Sequence, residues 1–262
     1  MAAHKATIKS VQDLLEQLKK SPITNEKHAH ARVWFRGQSD ESWKLAPGVY
    51  RHDFPEKTEE GRLRLERHLT QDFRAMSAGI RRGDEDEPEL YFLQQHYRMR
   101  TRLLDWTNNA LAGLYFAVSP HSNSDGALFM MDAYQLGPKQ KATFNHKSFE
   151  GIADSRHPLF QEALHVIFWW DTAKKLPEFI FPIRPDYFDR RITLQRGCFT
   201  FHVPNRGVLT DNENDSLTSY LIPHGAKSDI RKELALLGID DFSIYGDLEH
   251  LSDRLKDAYG IP

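Results

Sequence analysis

The sequence predicts an α+β fold, organised as one domain over residues 1–262. Three observations predict it. Apolar segments rich in β-branched and aromatic residues recur between Pro, Gly and Asp, amphipathic helical patterns stand at both ends, and no regular strand–helix–strand alternation connects them. With 40% hydrophobic and 11% aromatic residues, the chain has ample material for a core.

Residues 1–30 read as a helix and a loop. Ser10 with Asp13 starts a helix carrying Val11, Leu14, Leu15 and Leu18, and "NEKHAHA" is a polar loop before the strand Val33 to Phe35. "GRLRLERHLTQDFRAMSAG" follows as a helix with Leu65, Leu69, Phe73 and Met76 on one face. Residues 80–89 are acid-rich and expected to be a mobile loop, because like charges repel. Pro88 opens the helix "PELYFLQQHYRM", and "NALAGLYFAVS" is a second helical segment before the strand "ALFMMD". "HVIFWWD", "EFIFPIRP", "RRITLQRGCFTFHV" and "SLTSYLIP" are read as strands. The tail, 226–262, reads as a helix with Ile230, Leu234 and Leu237 that stops at Gly238, a short segment and a final helix.

Composition narrows function. Thirty-five basic against 37 acidic side chains leave a net charge of −2, so an anion site has to be local. One cysteine, Cys198, excludes a disulfide framework and a thiolate zinc site and fits a reducing cytoplasm, and the N-terminus has no apolar secretory core. No run reaches membrane-spanning length. The thirteen histidines form no H-E-x-x-H motif, no G-x-S-x-G elbow is present, and "HGAKS" lacks the first glycine of a phosphate loop.

Three polar clusters carry chemistry. Arg36 ends the apolar run "VWF" and needs a carboxylate or a phosphate, while Gly37 removes a side chain where something approaches the backbone, and Gln38 and Ser39 add donors. A buried Asp partner for Arg36, with Gly37 at a bulge, is the alternative. The densest cluster is "QQHYRMRTRLLDWTNN", in which Asp105 between Leu104 and Trp106 is expected to be buried against Arg36 or Arg102. Beside arginines it suits a charge stabiliser better than a proton donor. In "RRITLQRGCFTF" strand alternation sends Arg191, Thr193 and Gln195 to one face, with Gly197 ending the strand. That face lines a cleft or is merely solvated.

"VWFRGQSDESWKLAPGVYR", "QQHYRMRTRLLDWTNNALAGLYFAV", "RITLQRGCFTFH" and "IRKELALLGIDDFSIYGDL" together resemble the FRG domain, a bacterial and phage family named for its Phe-Arg-Gly element. The resemblance runs from about residue 30 through the tail. It implies roles for Arg36, Gly37, Gln38, Trp43, Pro47 and Arg51, and for Gln95, His96, Thr101, Arg102, Leu104, Asp105, Trp106 and Thr107. Where the family often has glycine after Gln-His, this chain has Tyr97. "WFRG" and the order of the later blocks also resemble ADP-ribosyltransferases. That likeness implies a split, mostly antiparallel mixed sheet flanked by N- and C-terminal helices, with NAD as substrate and no metal.

On this reading Arg36 and Arg102 hold the pyrophosphate, with Gly37, Gln38, Gln95 and Thr107 also on the nucleotide side, and His96, Asp105 and Gln195 orient ribose or acceptor. Arg191 stands where those enzymes carry a catalytic glutamate. The implied partners are a protein or nucleic-acid acceptor and a cognate antitoxin, as for a toxin or phage-defence effector. Two alternatives stay open. One is a nucleic-acid groove lined by Arg98, Arg100, Arg102, Arg190, Arg191 and Arg196; the other is a metal-independent nuclease or phosphodiesterase with His96 and Asp105 as its acid/base pair.

Overall fold

Alternation along each strand builds the core, and its parity decides which side chains meet. The computed structural model describes residues 4–25, 29–120, 123–145, 147–169, 179–186, 190–209 and 217–261. An eight-stranded sheet runs in the order β1 (Ala6–Thr7), β10 (Leu217–Ile222), β4 (Gly126–Asp132), β2 (Val33–Gln38), β3 (Leu103–Thr107), β9 (Gly197–His202), β8 (Ile180–Arg184) and β7 (Ala153–Asp154). The outermost pairs, β1 with β10 and β7 with β8, are parallel, and the inner pairs are antiparallel. Short strands β5 (Thr143–Phe144) and β6 (Lys147–Ser148) pair separately.

The sheet is divided at its centre. β2 pairs β4 through six positions and β3 pairs β9 through five, yet among the described residues Phe35 with Thr107 is the only register pair between β2 and β3. Beyond it the strands part. Helices cover the two halves separately on the face that Phe35 and Thr107 share. Over the β2–β4–β10 half pack α1 (Val11–Lys20), α5 (Ala110–Ala117) and α9 (Lys227–Leu236), burying Leu14, Leu114 and Ile230 against Phe35, Leu128 and Tyr220. Over the β9–β8 half pack α4 (Glu87–His96) and α7 (Pro158–Trp169), burying Tyr91, Phe92, Phe160 and Ile167 against Phe199 and Phe201. Trp34, Leu104, Trp106, Phe129 and Cys198 fill a third cluster on the other face.

Close approach explains the glycine of "FRG". A Cβ on Gly37 would lie 2.0 Å from the Gly113 carbonyl oxygen and 2.4 Å from the Ala117 nitrogen, so α5 rests directly on the β2 backbone. Gly37 is therefore a packing glycine: the space its missing side chain leaves is filled by α5 and does not admit a ligand.

Several expected elements differ. The residues 165–169 of "HVIFWWD" belong to α7, whose buried Phe160, Ala163, Leu164 and Ile167 have helical spacing that a seven-residue window hides; Trp170 and Asp171 lie outside the described residues. Arg190–Leu194 is a short helix, α8, and Gly197 opens β9 instead of ending a strand. Ile192 is buried while Leu194 is partly exposed, so the i, i+2 pair does not share a face.

Helix α3 (Glu59–Met76) leaves Met76 exposed and turns Glu66 and Thr70 inward. In the acid-rich segment, charges of both signs pair: Glu85 with Arg81, Asp84 and Glu89 with Arg82, while Asp86 caps α4. Within "NEKHAHA", residues 29–32 form helix α2 (Ala29–Arg32), and 26–28 lie outside the described residues. Among the described residues no helix is long and apolar enough to cross a membrane.

Replacing Gly37 by alanine is expected to lower stability by about 2 kcal/mol in urea melts, as forced overpacking does. Gly79→Ala, whose methyl group meets nothing within 4 Å, is the control and should not. Equal midpoints for the two variants would contradict the packing role of Gly37.

Candidate active site

Between the two halves lies a cleft of about 440 Å³, a size typical of small-ligand sites. β2 contributes Phe35, Arg36 and Gly37, β3 contributes Leu103, Asp105, Trp106 and Thr107, and Phe116 of α5 closes one wall. Gln95, Arg98, Met99 and Arg100 come from the end of α4 and the turn after it, Arg51 from the loop after β2, and Arg191 and Gln195 from α8 and its C-terminal end. Among these described residues five are arginines and one, Asp105, is an acid. Basic side chains thus outnumber acids in the lining of a nearly neutral chain, although Arg100 is itself held by Asp53, to which Nη1 and Nη2 donate at 3.1 and 2.6 Å.

Arg36 follows Trp34 on the strand, and its guanidinium spans the divide. Its Nη1 donates to the Asp105 carbonyl oxygen at 2.7 Å and stands 3.9 Å from the Asp105 carboxylate. That carbonyl lies on the β3 edge where pairing to β2 has ceased, so the arginine takes the place of a missing ladder N–H. Its Nε is buried with no hydrogen-bond partner among the described residues. Burial pulls the Arg36 pKa down to about 10, with Arg51 adding to the effect and Asp105 opposing it.

Asp105 is not buried as the sequence suggested. Its side chain is 58% exposed, because it shares a face with Thr107 and opens into the gap between the helical layers. Gln95 Nε2 donates to both carboxylate oxygens at 3.0 and 3.1 Å, and Thr101 Oγ1 donates to Gln95 Oε1, so the amide is fixed in orientation.

Arg102 belongs elsewhere. It stands just before β3 and is fully buried, where Nε donates to Glu66 at 2.8 Å and Nη2 lies 2.6 Å from Glu59 and from Glu66. Tyr50 accepts from its Nη1, and the Tyr91 hydroxyl accepts from its backbone N–H. Burial alone would favour losing the proton, but Glu66, Tyr50 and Glu59 outweigh it and hold the guanidinium charged far above its ordinary range. Arg102 is thus a structural ion-pair centre and cannot reach a pyrophosphate in the cleft. The signal was present as Glu66 on the inward stripe of α3 beside Leu63, Thr70 and Phe73.

The remaining candidates divide. Gln95, Asp105, Arg191, Gln195 and Thr107 line the cleft with Arg36, but the Thr107 hydroxyl donates to the Gln195 carbonyl at 2.6 Å and is engaged in structure. Gln38 is buried opposite Ala127 and outside the lining. His96 is also outside it: adjacent positions on a helix point about 100° apart, and Gln95 takes the inward one, leaving the imidazole edge-on to the exposed Tyr97 ring.

Arg191 and Gln195 reach the cleft from α8, four residues apart on a helix, and not from a strand face. α10 (Asp241–Tyr245) seats both: the Arg191 guanidinium lies 5.1 Å over the Tyr245 ring and Gln195 Nε2 donates to the Ile244 carbonyl at 3.3 Å. The left-handed backbone position after the Gln-His pair is Arg98, with φ 63°, and not Tyr97. Its N–H bonds to the Gln95 carbonyl as the helix terminates. An arginine costs about 1 kcal/mol there relative to glycine, and it puts a guanidinium in the cleft.

The two buried arginines give opposite expectations. Between about pH 10 and 12.5 the unfolded chain keeps a proton that folded Arg36 loses, so stability rises with pH there, and the charged form is a cost at neutral pH. Arg36→Met should therefore leave the urea midpoint at pH 7 unchanged or raised. Arg102→Met should cost about 3–5 kcal/mol, because it strands Glu66 and Glu59. A comparable loss in both would make Arg36 a structural ion pair.

The family model of the FRG domain matches residues 31–126. No curated protein and no solved structure matches the chain. The matched segment supplies β2, β3, α4, α5 and all of the cleft lining except Arg191 and Gln195, while the later blocks and the tail lie beyond it. Residues 31–126 of this chain are thereby matched to the FRG domain, and they carry most of the cleft.

Proposed function

We propose that the cleft binds a nucleotide through its diphosphate and breaks an N-glycosidic bond, with NAD as the substrate and a protein or nucleic acid as acceptor. The observation that carries this reading is the one carboxylate among the described lining residues, Asp105, held by Gln95 among five arginines. Diphosphate oxygens answer the guanidinia of Arg36, Arg51, Arg98 and Arg191, each charge-assisted bond contributing about 1.5–3 kcal/mol; Arg100 is already paired with Asp53. Phe35, Met99, Trp106 and Phe116 give apolar surface for a ring. Arg191 serves the phosphates here and does not substitute for a glutamate.

The chemistry follows from charge. As the bond from ribose C1′ to the nicotinamide nitrogen breaks, its electron pair leaves with nicotinamide and C1′ becomes cationic. Asp105 stabilises that cation across the cleft. An acceptor oxygen or nitrogen, or water, then bonds to C1′ and releases its proton to solvent. Gln195 orients the ribose or the acceptor. The other readings draw on fewer of the lining residues: Arg102 is buried, and Arg190, Arg196 and His96 stand outside the described lining.

Incubation with nicotinamide-labelled NAD and mixed acceptors should release nicotinamide. Asp105→Asn should lower the rate about 10²–10³-fold, in the range of a lost transition-state electrostatic partner, with little change in affinity. Absence of release from the wild type with every acceptor, or full activity in Asp105→Asn, would overturn the reading.

A further inference from the structure

Helix α11 (Leu248–Tyr259) buries none of its residues. Leu248, Leu251, Leu255 and Tyr259 recur at three- and four-residue spacing and, with Ile261, line a shallow groove. Leu248 is 82% and Tyr259 77% exposed. The helix touches the body along its other side, where the His250 ring stacks on Tyr245 with centroids 4.4 Å apart and Arg254 pairs with Asp240. A continuous apolar stripe in water calls for an occupant.

We propose that this occupant is α11 of a second copy of the chain, packed antiparallel. The charges flanking the stripe argue for it. Glu249 and Lys256 stand two turns apart on one flank, while on the other side Arg254 is held by Asp240 of its own copy and Asp247 caps the helix and accepts from His250. In an antiparallel pair about a two-fold axis each flank meets its own counterpart reversed. Glu249 then faces Lys256 of the second copy and Lys256 faces its Glu249. A parallel pair would set acid beside acid at one end and base beside base at the other. The exposed pairs already made within the copy, such as Lys256 with Asp253 at 3.0 Å, contribute little and can exchange. An anionic lipid surface fits poorly, since Glu249, Asp253 and Asp257 outnumber Arg254 and Lys256 along the helix.

Sedimentation velocity over a concentration series tests this on the full chain. The wild type should shift from 30.4 kDa toward twice that mass as concentration rises into the hundreds of micromolar. Leu255→Asp, which disturbs no buried residue, and Glu249→Lys should each weaken association at least tenfold. The double variant Glu249→Lys with Lys256→Glu should restore it. A wild type that stays monomeric, a dimer that survives Leu255→Asp, or a double variant no better than the single would each overturn the proposal, with circular dichroism confirming that the variants are folded.

Discussion

The site turns on the hydrogen bond from the Arg36 guanidinium to the carbonyl of Asp105. Two central strands that separate after one register pair leave edge carbonyls without partners, and such groups are costly unless water or a side chain answers them. Arg36 answers one while remaining only 13% exposed itself. In an open cleft water can answer the same carbonyl, so the arginine sits in the gap without being needed to keep the fold. Gly37 and Gly113 complete the device, since α5 can hold β2 on one side of the gap only if no Cβ stands between them.

The two arginines at the centre show how one residue type is used in opposite ways. Arg102 has its partners within the fold itself, two glutamates from α3 and the Tyr50 hydroxyl on its guanidinium and the Tyr91 hydroxyl on its backbone N–H, and its burial is complete. Arg36 has a carbonyl, a distant carboxylate and an unanswered Nε. Removing a partner from the first leaves buried charge; the second is already short of a partner. Buried charge left short of a partner is what the proposed anion would answer. Around it, Arg98 holds a left-handed backbone that glycine would adopt at lower cost, again with a guanidinium directed into the cleft.

Much of this was legible in the sequence, and the failures have physical causes. Arg36, Gln95, Asp105, Arg191 and Gln195 were recognisable as a convergent set because polar groups crowd apolar strands there. The face that each residue takes was not, since it depends on register. Asp105 stands within β3 and opens to the cleft, while Arg102, three positions earlier and just before the strand, is sealed against the glutamates of α3. His96 lost its place to Gln95 through helix geometry. Arg190–Leu194 has strand-like composition but became a helix because its tertiary neighbours bury Ile192 and leave Leu194 at the edge, against Gly246. Gly37 was legible as a close approach, but what approaches, α5, is a non-local contact.

The central claim is that the divided sheet holds a site for a diphosphate. Calorimetric titration of the wild-type chain with ADP and with adenosine separates the phosphate contribution from that of the base. Binding of ADP at least a hundredfold tighter than adenosine, weakening steeply with salt and collapsing to the adenosine level in Arg36→Met, is the result this account requires. Equal affinity for the two ligands, or ADP binding indifferent to the loss of Arg36, would contradict it.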